Sequence, residues 1–131
     1  MLYAHSLISI VDDDQFFRES LGRLLKSLGY TVVTFPSAAA FLASPKLAAT
    51  TCLVADVHMP LVSGDELYRD LMAKGHAIPT ILITAYPDDE VQQRMLAAGV
   101  KCYLRKPLDE EQLIGCLLSA SSVGTGPRMR S

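Results

Sequence analysis

Apolar and polar positions along the chain follow two patterns that repeat in turn. Short blocks of nearly uninterrupted apolar residues, such as 6–11 and 79–84, predict buried β-strands. Between these blocks lie longer segments whose apolar residues recur at three- and four-residue spacing, as Leu21, Leu25 and Leu28 do. That spacing predicts amphipathic helices, and glycines or prolines close most of the segments.

The two patterns alternate five times, and this alternation indicates an α/β domain. Strands are predicted over 6–11, 30–35, 51–56, 79–84 and 101–104, and helices over 14–29, 37–44, 64–75, 88–99 and 109–120. Apolar strands that alternate with helices are typical of a parallel sheet covered on both faces. Residues 1–120 are therefore predicted to form one domain. Residues 121–131, which are small, polar and rich in glycine, are predicted to be a tail or the start of a linker.

Composition narrows the class of protein. The 131 residues are 50% hydrophobic and 20% charged, which predicts a folded chain with its own core. The formal net charge of −2 gives no support to a nucleic-acid-binding surface. No apolar run approaches the roughly 20 residues that span a bilayer, and the first residues do not resemble a signal peptide. We therefore expect a cytoplasmic protein.

The three cysteines are predicted to be free. Cys52, Cys102 and Cys116 form no C-x-x-C pair and lie in apolar segments. We interpret them as buried thiols in a reducing compartment. A zinc site is not expected, because the three histidines lack ligand-like spacing to one another or to cysteine.

Side chains that can bind a metal or take part in catalysis follow four of the five predicted strands. They are Asp12 and Asp13 after the first strand, Asp56 after the third, Thr84 after the fourth and Lys106 after the fifth. In open parallel sheets, ligands bind beyond the carboxyl ends of the strands. Three carboxylates at one edge repel each other unless a cation neutralises them, and hard oxygen ligands suit Mg²⁺ or Mn²⁺.

Lys106 and Thr84 add groups that bind phosphoryl oxygens. The ammonium supplies a positive charge and the hydroxyl a hydrogen bond. With a carboxylate nucleophile and a metal, they suit covalent phosphoryl transfer. Taken singly, each group also has a simpler interpretation: a solvated acidic loop with a helix cap, a surface lysine, or a β-branched strand residue.

Four segments of the chain carry a family resemblance. They are "IVDDD" (10–14), "LVADVHMPLVSGDEL" (53–67), "ILITAY" (81–86) and "CYLRKPLDEEQL" (102–113). In this order, at strand ends, they resemble the receiver domain of two-component response regulators across about residues 6–120. The resemblance implies a flavodoxin-like (βα)5 three-layer sandwich with a parallel sheet of order 2-1-3-4-5; a member of this family illustrates that strand order in general accounts of the fold.

The resemblance also implies a role for each acidic residue. Asp56 matches the phosphoacceptor, and Asp12 and Asp13 match the metal-binding acidic pair. His58, two residues after Asp56, matches the position whose backbone carbonyl binds the metal, so its imidazole is not expected to be a ligand.

The remaining matched positions concern the phosphoryl group and the response to it. Thr84 matches the hydroxyl that turns toward the phosphoryl group, and Ala85 the backbone N–H that donates to it. Lys106 matches the family lysine, and a cis bond is expected between it and Pro107. Tyr103 matches the aromatic that changes rotamer with Thr84, although a buried strand tyrosine would occupy the same place.

The implied function is a phosphorylation-controlled switch. A sensor histidine kinase or a histidine phosphotransfer protein would phosphorylate Asp56 in a Mg²⁺-dependent reaction, and the domain would catalyse only its own phosphorylation and dephosphorylation. The surface of the fourth helix, fifth strand and fifth helix, roughly 88–118, would then control a homodimer or an effector, such as a C-terminal DNA-binding domain outside this chain. Leu61 and Val62 are an alternative partner contact.

Two other functions remain open from the residues. One is a degenerate receiver that acts as a constitutive interaction module. The other is a phosphohydrolase of the haloacid dehalogenase type, which needs an aspartate two residues after the nucleophile. His58 occupies that position, and the acidic pair upstream would be left unexplained.

Overall fold

A computed structural model describes the backbone of residues 6–125 and the side chains of residues 6–120. Five strands alternate with five α-helices, as the sequence pattern predicts. The strands are β1 (Leu7–Val11), β2 (Thr31–Phe35), β3 (Cys52–Asp56), β4 (Thr80–Thr84) and β5 (Cys102–Arg105). The helices are α1 (Gln15–Ser27), α2 (Ala38–Leu42), α3 (Gly64–Ala73), α4 (Asp89–Ala98) and α5 (Glu110–Thr125).

The five strands form one parallel sheet of order β2-β1-β3-β4-β5. The predicted strand order is therefore confirmed. The register aligns the carboxyl ends closely: Val11 pairs with Ala55, Asp56 with Ile83, and Thr84 with Arg105. This register brings the residues that follow β1, β3, β4 and β5 to one edge of the sheet.

Successive strand residues point to opposite faces of the sheet, and each face has its own apolar core. Val54 and Ile83 pack with α1 and α5, whereas Ala55 and Leu82 pack with α2, α3 and α4. All four strand residues are fully buried. The molecule is thus the three-layer sandwich that the apolar strands predict.

Two helix ends differ from the predicted ones. Helix α2 stops at Leu42, and the chain then forms a 3₁₀-helix over Pro45–Ala49, which the apolar pattern did not predict. Ser44 caps this turn through Lys46 N at 3.0 Å, and proline at a first helical position has no N–H to satisfy. Helix α5 continues to Thr125, five residues beyond the predicted end of the helix. Residues 126–131 lie outside the described part, and the domain boundary at 120 stays a prediction.

The prediction of three free thiols is wrong for two of them. Cys102 and Cys116 form a disulfide that joins β5 to α5, with their Cα atoms 6.2 Å apart. That separation is within the usual range for a bridge, but it arises from the packing of a helix on a strand, so the sequence spacing did not reveal it. Cys52 is free and buried as predicted, and burial raises the pKa of its thiol to about 12.

Within residues 6–125, no helix combines the length and the apolar character needed to cross a membrane.

Candidate functional site

Asp12 and Asp56 lie side by side at the carboxyl edge of the sheet, and both are buried. Asp12 is 0% exposed and Asp56 6%. The Asp12 N–H donates to the Phe35 carbonyl at 3.1 Å, which extends the β1–β2 pairing by one residue. Asp12 Oδ1 accepts from Asp14 N at 2.9 Å, while the Asp14 side chain caps α1 through Phe17 N at 3.1 Å. The turn into α1 therefore fixes the Asp12 carboxylate.

Lys106 brings the two carboxylates together. Its ammonium lies 2.9 Å from Asp12 Oδ2 and 3.5 Å from Asp56 Oδ2. The backbone that carries it is held by a hydrogen bond from Lys106 N to the Thr84 carbonyl at 2.8 Å, and the predicted cis bond to Pro107 is confirmed. The ammonium also lies 4.2 Å from the centroid of the Phe17 ring, within range of a cation–π contact.

We call Asp12, Asp13, Asp56, Thr84 and Lys106 the carboxyl-end site. Carboxylate oxygens of its three acids all lie within 4.8 Å of one another, and Asp13 is the exposed member. Three carboxylates and one ammonium sum to a charge of −2, which one divalent cation balances.

Asp12 Oδ2 offers a further sign that a cation fits here. It is buried and has no hydrogen-bond partner among the described residues, because Lys106 approaches it at ion-pair distance but off the direction that a hydrogen bond prefers. Buried polar atoms are seldom left in this state. A hard, oxygen-binding cation such as Mg²⁺ fits this donor set.

The surroundings of the site change the proton affinity of two of its groups. Burial raises the pKa of Asp56 and the charge of Asp12 raises it further, while Lys106 and the His58 N–H lower it without cancelling the rise. Burial acts to lower the pKa of Lys106, but the close Asp12 carboxylate and the charge of Asp56 outweigh it and raise the pKa. Lys106 is therefore held as the ammonium, and ionised Asp56 is costly until more positive charge is supplied.

Thr84 and Tyr103 are buried at the same edge but are engaged with the loop that leads into α4. Thr84 Oγ1 accepts from Tyr86 N at 2.9 Å, and Tyr103 Oη accepts from Asp88 N at 3.3 Å. Ala85 follows Thr84 on the exposed side of the edge. Both side chains that were predicted to respond to phosphorylation thus contact one loop, residues 85–88.

His58 contributes its backbone to the site while its ring lies outside. Its N–H donates to Asp56 Oδ1 at 3.2 Å. The imidazole is exposed and meets the Tyr86 ring edge to face, with centroids 5.6 Å apart. That the backbone carbonyl of His58, and not its imidazole, binds a metal stays a prediction.

The loop from Asp56 into α3 is tightly constrained. Gly64 N donates to the Val57 carbonyl at 3.0 Å, and a Cβ at Gly64 would overlap the Asp56 carbonyl oxygen. Leu61, in the same loop, is 100% exposed and has a φ of 71°, which leucine rarely adopts. Val62 is half-buried against the core, so Leu61 and Val62 do not form one exposed patch.

Two residues that sequence reasoning did not assign to the site also contact it. Phe17 lies under the Lys106 ammonium, and Arg18 Nη1 donates to the Asp12 carbonyl at 2.8 Å. Phe17 has the helical spacing of a core residue and gave no sign of this contact. Arg18 lies six residues after Asp12, in the first turn of α1, but charge alone did not distinguish it from a surface arginine.

A parallel five-stranded α/β sandwich with a buried aspartate pair, a bridging lysine and a threonine at one sheet edge has the architecture of a receiver domain. The family model described as the response regulator receiver domain matches residues 8–117. The chain belongs to this family of two-component signalling domains.

Relatives of known name agree with that assignment. The response regulator protein TodT of Pseudomonas putida is 36% identical over 126 residues, which cover 96% of this chain and 55% of TodT. The transcriptional regulatory protein FixJ of Azorhizobium caulinodans is 36% identical over 110 residues, covering 84% of this chain and 52% of FixJ. The crystal structure of FixJ-N superposes with a TM-score of 0.80 at 34% identity, covering 89% and 94% of the two chains. The chain spans about half the length of the curated relatives it matches.

Proposed function

We propose that Asp56 accepts a phosphoryl group and that the carboxyl-end site catalyses this transfer. The observation that carries the proposal is the Lys106 ammonium, which lies within 3.5 Å of the Asp56 carboxylate at the end of a buried strand. A carboxylate oxygen of Asp56 attacks phosphorus, the bond from phosphorus to the donor breaks, and the donor leaves with its electron pair. The phosphoryl oxygens are bound by the Lys106 ammonium, the Thr84 hydroxyl and the Ala85 N–H. Hydrogen-bond donors that are already in position stabilise the transferring group in other phosphoryl-transfer sites.

Mg²⁺ is the proposed metal, with Mn²⁺ as a substitute. Asp12, Asp13, Asp56 and the His58 carbonyl would hold it. When bound, the ion supplies positive charge against the phosphoryl oxygens. The donor set supports this assignment, since three carboxylates lie together and one buried oxygen, Asp12 Oδ2, has no hydrogen-bond partner among the described residues.

Phosphorylation is proposed to change the loop at 85–88. A phosphoryl group on Asp56 adds charge and strong acceptor oxygens. When the Thr84 hydroxyl turns to donate to a phosphoryl oxygen, the bond that it accepts from Tyr86 N is lost, and movement of the loop alters the contact between Asp88 N and Tyr103 Oη. The surface of α4, β5 and α5, residues 88–118, then shifts between two arrangements, and autodephosphorylation returns it.

The proposed partners follow from the family and from the relatives' names. A sensor histidine kinase or a histidine phosphotransfer protein is the proposed phosphodonor, and the proposed location is the cytoplasm. FixJ is named a transcriptional regulatory protein. Control of a C-terminal DNA-binding effector, through phosphorylation-dependent homodimerisation of surface 88–118, is therefore the proposed output; the domain itself is not expected to bind nucleic acid.

The direct test uses a small-molecule phosphodonor. The protein is incubated with acetyl phosphate and Mg²⁺, and intact-mass spectrometry follows the phosphoryl adduct. We expect one acid-stable, base-labile adduct on the wild type, loss of the adduct in Asp56→Asn, and loss of the adduct in EDTA.

Asp65→Asn is the matched control, because Asp65 is an acid of the following helix that pairs with Arg69 at 3.7 Å. This variant should be phosphorylated like the wild type. An adduct that persists in Asp56→Asn would contradict the assignment of Asp56. A folded wild-type protein that takes up no phosphoryl group from acetyl phosphate or from any histidine kinase tested would favour the constitutive interaction module.

A further inference from the structure

The bridge between Cys102 and Cys116 encloses a functionally important part of the chain. Cys102 begins β5 and Cys116 lies in α5, 14 positions later. The closed loop contains Tyr103 and Lys106, the proposed switch residue and the lysine of the carboxyl-end site. It also contains the cis peptide and the start of α5.

The three cysteines differ in how easily a solution thiol can reach them. Cys102 is half-buried at the start of its strand, whereas Cys116 and Cys52 are buried in the core. Burial also raises the pKa of the Cys52 thiol to about 12, so this cysteine carries almost no reactive thiolate. Cys102 is thus the more exposed cysteine of the bridge, and Cys52 is an internal control.

Disulfides in chains of reducing compartments are usually transient, as catalytic or redox-sensing bridges. We propose that Cys102 and Cys116 are a reversible redox modification site whose oxidation fastens α5 to β5 and restrains surface 88–118. The link to that surface rests on the proposed switch function and the expected reversibility rests on the proposed cytoplasmic location, whereas the bridge itself rests on neither.

Glutathione disulfide is the class of oxidant that balances the reaction. The Cys102 thiolate attacks one sulfur of glutathione disulfide and releases a glutathione thiolate. The Cys116 thiolate then attacks the Cys102 sulfur of the mixed disulfide and releases the second glutathione thiolate. Two cysteine thiols are oxidised, one glutathione disulfide is reduced, and the two thiol protons end on the two glutathione molecules.

The first measurement is a redox titration of the full chain. The protein is equilibrated in glutathione buffers of increasing disulfide content, quenched with acid, alkylated in denaturant, and analysed by peptide mass. We expect Cys102 and Cys116 to pass together from two alkylated thiols to one bridged peptide pair, with dithiothreitol reversing the change and Cys52 recovered as an alkylated thiol throughout. A chain that stays unbridged at every ratio, or a bridge that dithiothreitol does not open in the folded protein, would overturn the proposal.

The second measurement tests the restraint and needs no phosphorylation. The bridged protein should melt about 10 °C above the reduced one, because it closes a loop of roughly 15 residues. Amide exchange in α5 should also be slower. The variants Cys116→Ser and Cys102→Ser should each have the same melting temperature in oxidising and in reducing buffer. Cys52→Ser should retain the difference in melting temperature between the two buffers. Equal melting and equal exchange of the oxidised and reduced wild type would contradict the restraint.

The third measurement separates this proposal from the switch function. Amide exchange over 88–118 is compared with and without acetyl phosphate, in the oxidised and the reduced protein. We expect a smaller phosphorylation-dependent change in the oxidised form, and equal changes would refute the restraint on the switch surface. If acetyl phosphate modifies neither form, the proposed function fails, and the first two measurements still decide the redox site.

Discussion

The two edges of the sheet bury polar groups in opposite ways. At the amino edge, Thr50 Oγ1 donates to the Lys46 carbonyl at 2.8 Å, so the Ser9 hydroxyl must donate the 2.7 Å bond that joins the two side chains. At the carboxyl edge, the buried groups are charged, Asp12 Oδ2 has no hydrogen-bond partner among the described residues, and Asp56 has a raised pKa. Neutral, mutually satisfied hydroxyls stabilise the first edge, whereas the second holds buried charges at a cost that a bound cation can relieve.

The largest expected effect is on the rate of phosphorylation, and it is measured by the same substitution at two lysines on opposite edges of the sheet. Lys106→Met removes the ammonium beside Asp56 but keeps an unbranched stem, and it should slow phosphorylation by acetyl phosphate by about 100-fold or more, as loss of a positioned donor does elsewhere. Lys101→Met changes a half-buried lysine just before β5 and should leave the rate unchanged. The initial rate of adduct formation measures both. Equal rates in the two variants would mean that Lys106 has no part in the transfer.

The next comparison tests how tightly the carboxyl edge is packed. Gly64→Ala would place a Cβ against the backbone carbonyl of Asp56, which cannot move as a side-chain end can, and should destabilise the protein by about 3 kcal/mol. Gly115→Ala is the control, because a Cβ there meets nothing within 4 Å apart from its chain neighbours and the nearby backbone of its own helix, and alanine favours a helix. Urea unfolding should show loss at Gly64 and no loss at Gly115. Similar urea midpoints for the two variants would show that the loop between Asp56 and α3 can shift to accommodate the added Cβ.

A third prediction concerns the amino edge. Thr50→Val removes the acceptor of the Ser9 hydroxyl and the donor to the Lys46 carbonyl, and should cost about 2 kcal/mol of unfolding free energy. Adding Ser9→Ala should restore part of that loss, because the serine hydroxyl is then no longer buried without a partner. Additive losses in the double variant would mean that the two hydroxyls are not coupled.

The smallest effect has the opposite sign and depends on pH. Burial and Asp12 raise the folded pKa of Asp56 above its unfolded value, so ionising it costs folding free energy. Below the unfolded pKa, about 4, the carboxyl is protonated in both states and this cost is not present; it is complete above the raised folded pKa. Asp56→Asn should therefore stabilise the protein in EDTA at pH 7 by on the order of 1 kcal/mol, and the gain should vanish near pH 3.

Asp70→Asn serves as the control for that experiment. Asp70 pairs with Lys74 at 3.1 Å on an exposed helix surface, and such pairs contribute little. The free energy of unfolding of Asp70→Asn should differ from that of the wild type by less than about 0.5 kcal/mol, with no gain at pH 7. A destabilised Asp56→Asn protein would show that Lys106 more than offsets the cost of the buried carboxylate.

Most of the site was predictable because it follows from strand ends. Once the strands are parallel, Asp12, Asp56, Thr84 and Lys106 must reach the same edge, whatever the exact packing of the helices. The contacts of Phe17 and Arg18 with that edge were not predictable, because they depend on how α1 is rotated and how far it lies from the sheet. The strand order itself came from the family resemblance, since apolar periodicity does not distinguish one parallel order from another.

The sequence by itself determined the alternation of buried strands and amphipathic helices, and the edge at which the reactive groups lie. Periodicity and strand direction are local properties, and the side-chain pattern carries them directly. Only the tertiary structure decided that Lys106 reaches both Asp12 and Asp56, and that Thr84 and Tyr103 share the loop at 85–88. It also decided that Cys102 and Cys116 are joined. These pairings depend on distances of a few ångströms between segments far apart in the chain, which packing sets and a linear pattern does not contain.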